Sequence, residues 1–259
     1  MSSTISFLMS DMIWEVIFVS CYSVLMQGSV TIDPILNIPI VKPGDDLSNL
    51  LVDAVKASAI KLEVDDILCV ASKVVSVAEN RFIRLDTITP SDEAIRLHER
   101  AKSKDPRVLH LILNETGNDT ENIRINGNWI GARTKIGRVL TSAGVDKVDE
   151  NTVLLLPIDP DASAKTIALA IQESFGAQIG VLITDSDGRE DIAGATQLSI
   201  GTYGVPPIRR QNGTEETICD MLAAAAGLVM GQRGVNIPAT IIRGFVYEFT
   251  NTAKLSDAN

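Results

Sequence analysis

The sequence predicts an α+β fold of layered mixed sheets with packed helices. Three observations carry that expectation. Hydrophobic residues make up 45% of the 259-residue chain but aromatics only 4%, so its core is built from Ile, Val, Leu and Ala. Short apolar runs bounded by turn residues read as buried strands. Capped helical stretches sit between them without the strict strand–helix alternation of a doubly wound sheet.

The elements follow in order. Val30 to Val41 reads as extended, broken by Pro34 and Pro39. Asp45 or Asp46 caps a helix to about Ala59, since an aspartate there satisfies unpaired N–H groups. Ile67 to Ala71 is a strand, and Ser72-Lys73-Val74-Val75-Ser76 lies at its end. Thr89-Pro90-Ser91-Asp92 opens a helix with Pro at its first position, and Asp105-Pro106 opens the next, through about Glu115. Asn126-Gly127 turns a hairpin between Ile123–Ile125 and Trp129-Ile130. Val153 to Leu156 is a strand, and Asp159-Pro160 starts a helix ending near Gly176. Ile179 to Thr184 is the strand that delivers Asp185, and Thr196 to Gly201 is another. Thr214 caps an Ala-rich helix to about Met230 with Gly231 as its stop, and Ile237 to Arg243 is a last strand.

The net charge of −10 argues against nucleic acid as a partner, because phosphate backbones need a basic face. Cys21, Cys69 and Cys219 are too scattered for a zinc site or redox pair, which points to a reducing, cytoplasmic compartment. His98 and His110 fall in amphipathic helices and read as helix-surface residues. Ile5 to Met26 is apolar but holds Asp11 and Glu15 and has no preceding Lys or Arg, which fits neither a membrane span nor a signal peptide. The expectation is an extension over 1–28, with a natural start at Met26, followed by one domain over 29–259.

Val181-Leu182-Ile183-Thr184-Asp185-Ser186-Asp187-Gly188-Arg189 carries the strongest chemical signal. An apolar run ending in carboxylates and a hydroxyl suits a hard cation, which takes oxygen ligands and shares them with a phosphate. An EF-hand loop is excluded because Glu190 and Thr196 occupy the positions that need Gly and Glu. A haloacid-dehalogenase-type phosphatase needs a later lysine and acidic pair, yet only Lys254 follows, and Asp220 and Asp257 stand alone. The bland alternative is a polar turn capped by Asp185. Thr141-Ser142-Ala143-Gly144-Val145-Asp146 offers a second acid after small residues, or a simple loop. Ser72 and Lys73 could hold phosphate, or form an exposed strand end. Met230-Gly231-Gln232-Arg233-Gly234 could close over a ligand, or cap the helix.

Taken together and in order, these blocks resemble one family. Ile38-Pro39-Ile40-Val41-Lys42-Pro43-Gly44-Asp45-Asp46-Leu47 resembles its opening, and Ser72-Lys73-Val74-Val75-Ser76-Val77-Ala78-Glu79 its second block. Ala143–Asp146, Leu154–Pro157, Asp159–Ala164, Ile183–Ser186, Leu228–Gly231 and Ile242–Gly244 follow. The chain is similar, from about Ile38 to Leu255, to the coenzyme F420-0:L-glutamate ligase (gamma-glutamyl ligase) family. The resemblance implies a homodimeric α+β enzyme that uses GTP to phosphorylate a carboxylate of a deazaflavin cofactor precursor. The amine of L-glutamate then displaces phosphate to form an amide. It implies Mg²⁺ or Mn²⁺ bound by Asp146, Asp185 and Ser186, with Asp146, Asp185 and Arg189 as catalytic residues. It implies nucleotide contacts from Ile38, Pro39, Ile40, Val41, Ser72, Lys73, Asp149, Met230, Gly231 and Gln232.

The chain also departs from the family pattern. Val77 stands where the family has lysine, Ser186 where it has threonine, and Asp149 where it has asparagine. The loop over 186–195 keeps Arg189 but loses a later arginine and glutamine, and a segment between Arg210 and Thr217 is missing. A non-catalytic nucleotide-binding or regulatory paralogue is the competing expectation.

Overall fold

The computed structural model describes residues 28–258 apart from 212, 233 and 234. The expected extension, the start at Met26, Cys21, and Arg233 with Gly234 lie outside the described residues, except for Gly28. The strands are β1 (Thr31–Pro34), β2 (Ile67–Ala71), β3 (Phe82–Arg84), β4 (Ile123–Asn126), β5 (Trp129–Arg133), β6 (Val139–Thr141), β7 (Asp146–Lys147) and β8 (Thr152–Leu154). The later ones are β9 (Gly180–Gly188), β10 (Ala195–Tyr203), β11 (Arg209–Gln211), β12 (Thr214–Glu216) and β13 (Ala239–Arg243). The helices are α1 (Leu47–Ala57), α2 (Ser72–Ala78), α3 (Asp92–Arg100), α4 (Pro106–Glu115), α5 (Pro160–Phe175) and α6 (Ile218–Met230).

The α+β class is as the sequence predicts. The central sheet has the order β1-β13-β2-β9-β10, in which only β2 and β9 pair in parallel. Leu51, Val55, Ile167 and Ile171 of α1 and α5 bury one face of it together with Val70, Val181 and Ile183. Ile218, Leu222, Ala226 and Met230 of α6 cover the other face over Ile67, Cys69 and Leu182. Alternate residues along a strand point to opposite faces, which is why β2 and β9 read as unbroken apolar runs. A separate apolar cluster joins α3 and α4 to the sheets β3-β8-β7 and β4-β5-β6, through Leu97, Leu109, Ile112, Ile130 and Val153. The long edge strand β10 is sealed at two points. Asp161 Oδ1 accepts the Thr202 N–H at 2.7 Å, and Asp220 Oδ1 accepts the Ser199 N–H at 3.1 Å.

The aspartate caps fall where the sequence puts them, at Asp46, Asp105 and Asp159, and Gly176 ends α5 in the left-handed conformation. Other boundaries differ, and β1 stops at Pro34, well short of Val41. Ser72 begins a helix directly after β2 rather than ending a strand. Its buried positions Ser72, Val75 and Ser76 have helical spacing, so burial against the core overrides the β-branched run. Pro90 precedes the cap residue Ser91 instead of opening α3. Thr214 lies in the β11–β12 hairpin, and α6 starts three residues after Thr214's neighbour Glu215, behind Thr217. β9 continues to Gly188, so Asp185 sits inside a strand paired with Leu198 rather than in a polar turn. Cys69 and Cys219 are free and buried. No described helix is long and apolar enough to cross a membrane.

Candidate functional site

The parallel pair β2–β9 ends at Ala71 opposite Thr184. β2 gives way there to α2 while β9 runs on beside β10, so the residue after each member of the last pair lies at the carboxyl end of the parallel pairing, where parallel sheets present ligands. Ser72 and Asp185 occupy those positions, and Ser72 Oγ donates to Asp185 Oδ1 at 2.5 Å. Both line a cavity of about 1030 Å³ bounded by the sheet end, the end of α6 and the α3–α4 cluster.

Asp146 reaches the same cavity by a different route. Thr141 N donates to Asp187 Oδ1 at 2.7 Å, and Thr141 Oγ1 donates to the Gly188 carbonyl at 2.7 Å, which ties β6 to β9. The chain then turns through Ser142, Ala143 and Gly144, all with positive φ (53°, 54° and 69°). Two consecutive non-glycine residues in the left-handed region cost energy and persist only where their surroundings enforce them. Ser142 and Ala143 are buried, and Gly144 lies so close to Leu156 that a Cβ would meet its Cγ at 2.5 Å. This turn sets Asp146 down beside Lys73, with Nζ 2.8 Å from Oδ2.

The electrostatics of Asp185 reflect this setting. Its carboxyl is pushed up to about 7. Burial is the largest cause; the Ser72 hydrogen bond opposes it, Asp146 adds to it, Lys73 opposes it and Asp187 adds again. Asp187 is also raised, chiefly by burial, against the hydrogen bonds from Thr141. Two unpartnered buried oxygens, Thr184 Oγ1 and Gln197 Oε1, belong to residues of the same cavity wall.

Among the described residues, no three His, Cys, Asp or Glu side chains converge as a metal cluster. Besides Asp105 and Glu150 elsewhere in the wall, oxygen donors that line the cavity include the carboxylates of Asp146 and Asp185 and the Ser186 hydroxyl. That set suits Mg²⁺ or Mn²⁺, which takes one or two carboxylates and completes its shell with water and substrate phosphate. A cation there would also offset the repulsion that Asp146 exerts on ionised Asp185.

Of the residues singled out from sequence, Ser72, Lys73, Asp146, Asp185, Ser186, Met230, Gly231 and Gln232 line this cavity. The others lie elsewhere. Asp149 accepts the Asn151 N–H at 2.8 Å within its own turn. Arg189 pairs with Asp191 at 2.8 Å on the surface. Ile38 and Val41 pack on the core, while Pro39 and Ile40 are exposed. Lys104, Thr141, Thr184 and Gln197 are cavity residues that sequence reasoning missed. Thr141 and Thr184 had a visible signal, Thr141 as the residue opening the small-residue stretch before Asp146 and Thr184 as the one that precedes Asp185.

Comparison with known proteins gives one consistent result. Residues 35–244 match the family model described as F420-0:Gamma-glutamyl ligase. The chain is 38% identical over 220 residues to the coenzyme F420:L-glutamate ligase of Methanothermobacter thermautotrophicus, covering 80% of this chain and 86% of that protein. It is 38% identical over 217 residues to the protein of that name from Methanopyrus kandleri, covering 79% and 82%. For Archaeoglobus fulgidus the identity is 34% over 228 residues, covering 83% and 88%. This chain, with its paired acids at the end of a mixed sheet, belongs to the F420-0:gamma-glutamyl ligase family.

Proposed function

We propose that the protein is a GTP- and divalent-metal-dependent ligase that adds L-glutamate to the deazaflavin cofactor precursor coenzyme F420-0 through an amide bond. The observation that carries the reading is the convergence of Asp146 and Asp185, each backed by its own structural brace, on one cavity beside Lys73. The names of the relatives supply the substrate class.

In this reading a carboxylate oxygen of the precursor attacks the γ-phosphorus of GTP, and GDP leaves. The glutamate amine then attacks the acyl carbon, phosphate leaves, and the amine gives up a proton. A Mg²⁺ or Mn²⁺ ion held by Asp146, Asp185 and Ser186 would neutralise the triphosphate and the charge that develops during transfer. The chain's own residues do the positioning. Ser72 holds one Asp185 oxygen and favours its ionised form. Lys73 lies at the start of α2 with its ammonium exposed enough to exchange Asp146 for a phosphate oxygen. Met230, Gly231 and Gln232 supply the wall where α6 ends. The same reading takes the protein as a cytoplasmic homodimer.

The test is mass spectrometry of the deazaflavin after incubation with F420-0, GTP, L-glutamate and Mn²⁺. Glutamyl addition that needs GTP, and is lost in Asp185→Asn, is expected. GTP binding without glutamyl addition would overturn the reading in favour of a binding-only paralogue.

A further inference from the structure

Lys104 lines the cavity from the α3–α4 loop. Its backbone is fixed at both polar groups: its N–H donates to the Ala101 carbonyl at 3.0 Å, and its carbonyl lies 2.8 Å from His98 Nδ1. Its Nζ donates to Ser142 Oγ at 3.1 Å. Ser142 is the first residue of the left-handed turn, so the hydroxyl that receives Lys104 is itself held in place.

No carboxylate among the described residues comes within ion-pair distance of this partly buried ammonium. Its neighbour Asp105 is engaged in capping α4 at the Arg107 N–H, 2.8 Å, and in clamping the Arg107 guanidinium at 2.6 Å. Lys73, the other cavity lysine with a fixed partner, faces Asp146. An ammonium carries three N–H donors, and here one has a protein partner. A cation anchored in a cavity wall with no carboxylate within ion-pair distance is arranged for an anion brought by a ligand.

We propose that Lys104 is a substrate-binding residue whose ammonium binds an anionic oxygen, carboxylate or phosphate, of a substrate in this cavity. The proposal rests on the ligase reading for the identity of the substrates. A glutamate carboxylate and a phosphate of GTP or F420-0 share the required chemistry, and the test separates them.

Lys104→Met and Lys104→Arg are made in the full chain, and KM is measured for L-glutamate, GTP and F420-0 in turn. Lys104→Met raises KM about tenfold for one of the three, as loss of a charge-assisted hydrogen bond does. It leaves kcat nearly unchanged, and Lys104→Arg restores most of the affinity. Whichever KM moves identifies the source of the anion. Unchanged KM for all three overturns the proposal. So does a fall in kcat alone that Ser142→Ala reproduces, because Lys104 then only braces the turn before Asp146. If the wild-type chain does not ligate, the ligase reading falls, and calorimetric titration of both proteins with GTP, L-glutamate and F420-0 still decides Lys104. Weaker binding of one of them to Lys104→Met sustains the proposal, and equal affinities overturn it.

Discussion

The Ser72 hydroxyl and the Asp185 carboxylate, 113 residues apart in the chain, meet at 2.5 Å just past the point where the parallel pairing of β2 with β9 stops. Ser72 stabilises the charged form of a carboxylate that burial otherwise neutralises. Ser72→Ala therefore raises the Asp185 pKa above its present value of about 7. Activity measured against pH shows its acid limb displaced to higher pH, with roughly 1–2 kcal/mol lost in metal affinity at neutral pH. An unmoved acid limb would show that Asp185 does not govern it.

The raised pKa of Asp185 also fixes a sign for stability. Between about pH 4 and pH 7 the folded chain holds a proton on Asp185 that the unfolded chain has released. Its contribution to stability is full below that window and is lost as pH rises through it. Asp185→Asn removes this loss. In chelator at pH 8 the variant is expected to be more stable than wild type by on the order of 1–3 kcal/mol, with little difference near pH 4. Urea denaturation at the two pH values checks it, and Mn²⁺ should stabilise wild type but not the variant.

Gly144 combines a φ of +69° with a clash against Leu156, so Gly144→Ala strains the backbone and displaces a core side chain. A loss of about 2–4 kcal/mol is expected. Because Asp146 follows two residues later, metal affinity should fall more than in a variant of equal stability loss elsewhere. Chemical denaturation and metal titration of the same samples test both parts.

Arg138 and Asp220 form a largely buried pair, with Nη2 2.5 Å from Oδ1 and 2.6 Å from Oδ2. Asp220→Ala strands the guanidinium and also the Ser199 N–H, at a cost of about 3–5 kcal/mol. The double variant Arg138→Met with Asp220→Leu should lose much less than the sum of the two single changes. Additive losses in a double-mutant cycle would show the pair to be uncoupled.

What was legible in the sequence is what local chemistry determines. Aspartates before Leu47, Pro106 and Pro160 announce helix starts because a carboxylate satisfies the first N–H groups wherever the helix later packs. The β11–β12 hairpin was hidden because its cross-strand pairs, Arg209 with Glu216 and Arg210 with Glu215, are charged and carry no apolar alternation. α2 was hidden because valines favour strands locally, while the core decides in favour of a helix. At the site, Asp185 was visible as a polar break after an apolar run. Its meeting with Asp146 depends on the Thr141 bridge to β9, a long-range contact that spacing does not encode. Lys104 carries no motif, and only the folded chain brings it to Ser142.

The two aspartates that take up the Ser199 and Thr202 N–H groups have a consequence for assembly. A nine-residue border strand is ordinarily a template onto which another copy can add. Here carboxylates from two different helices take up two of its N–H groups, so around Ser199 and Thr202 those donors are already spent and a neighbour finds no template there.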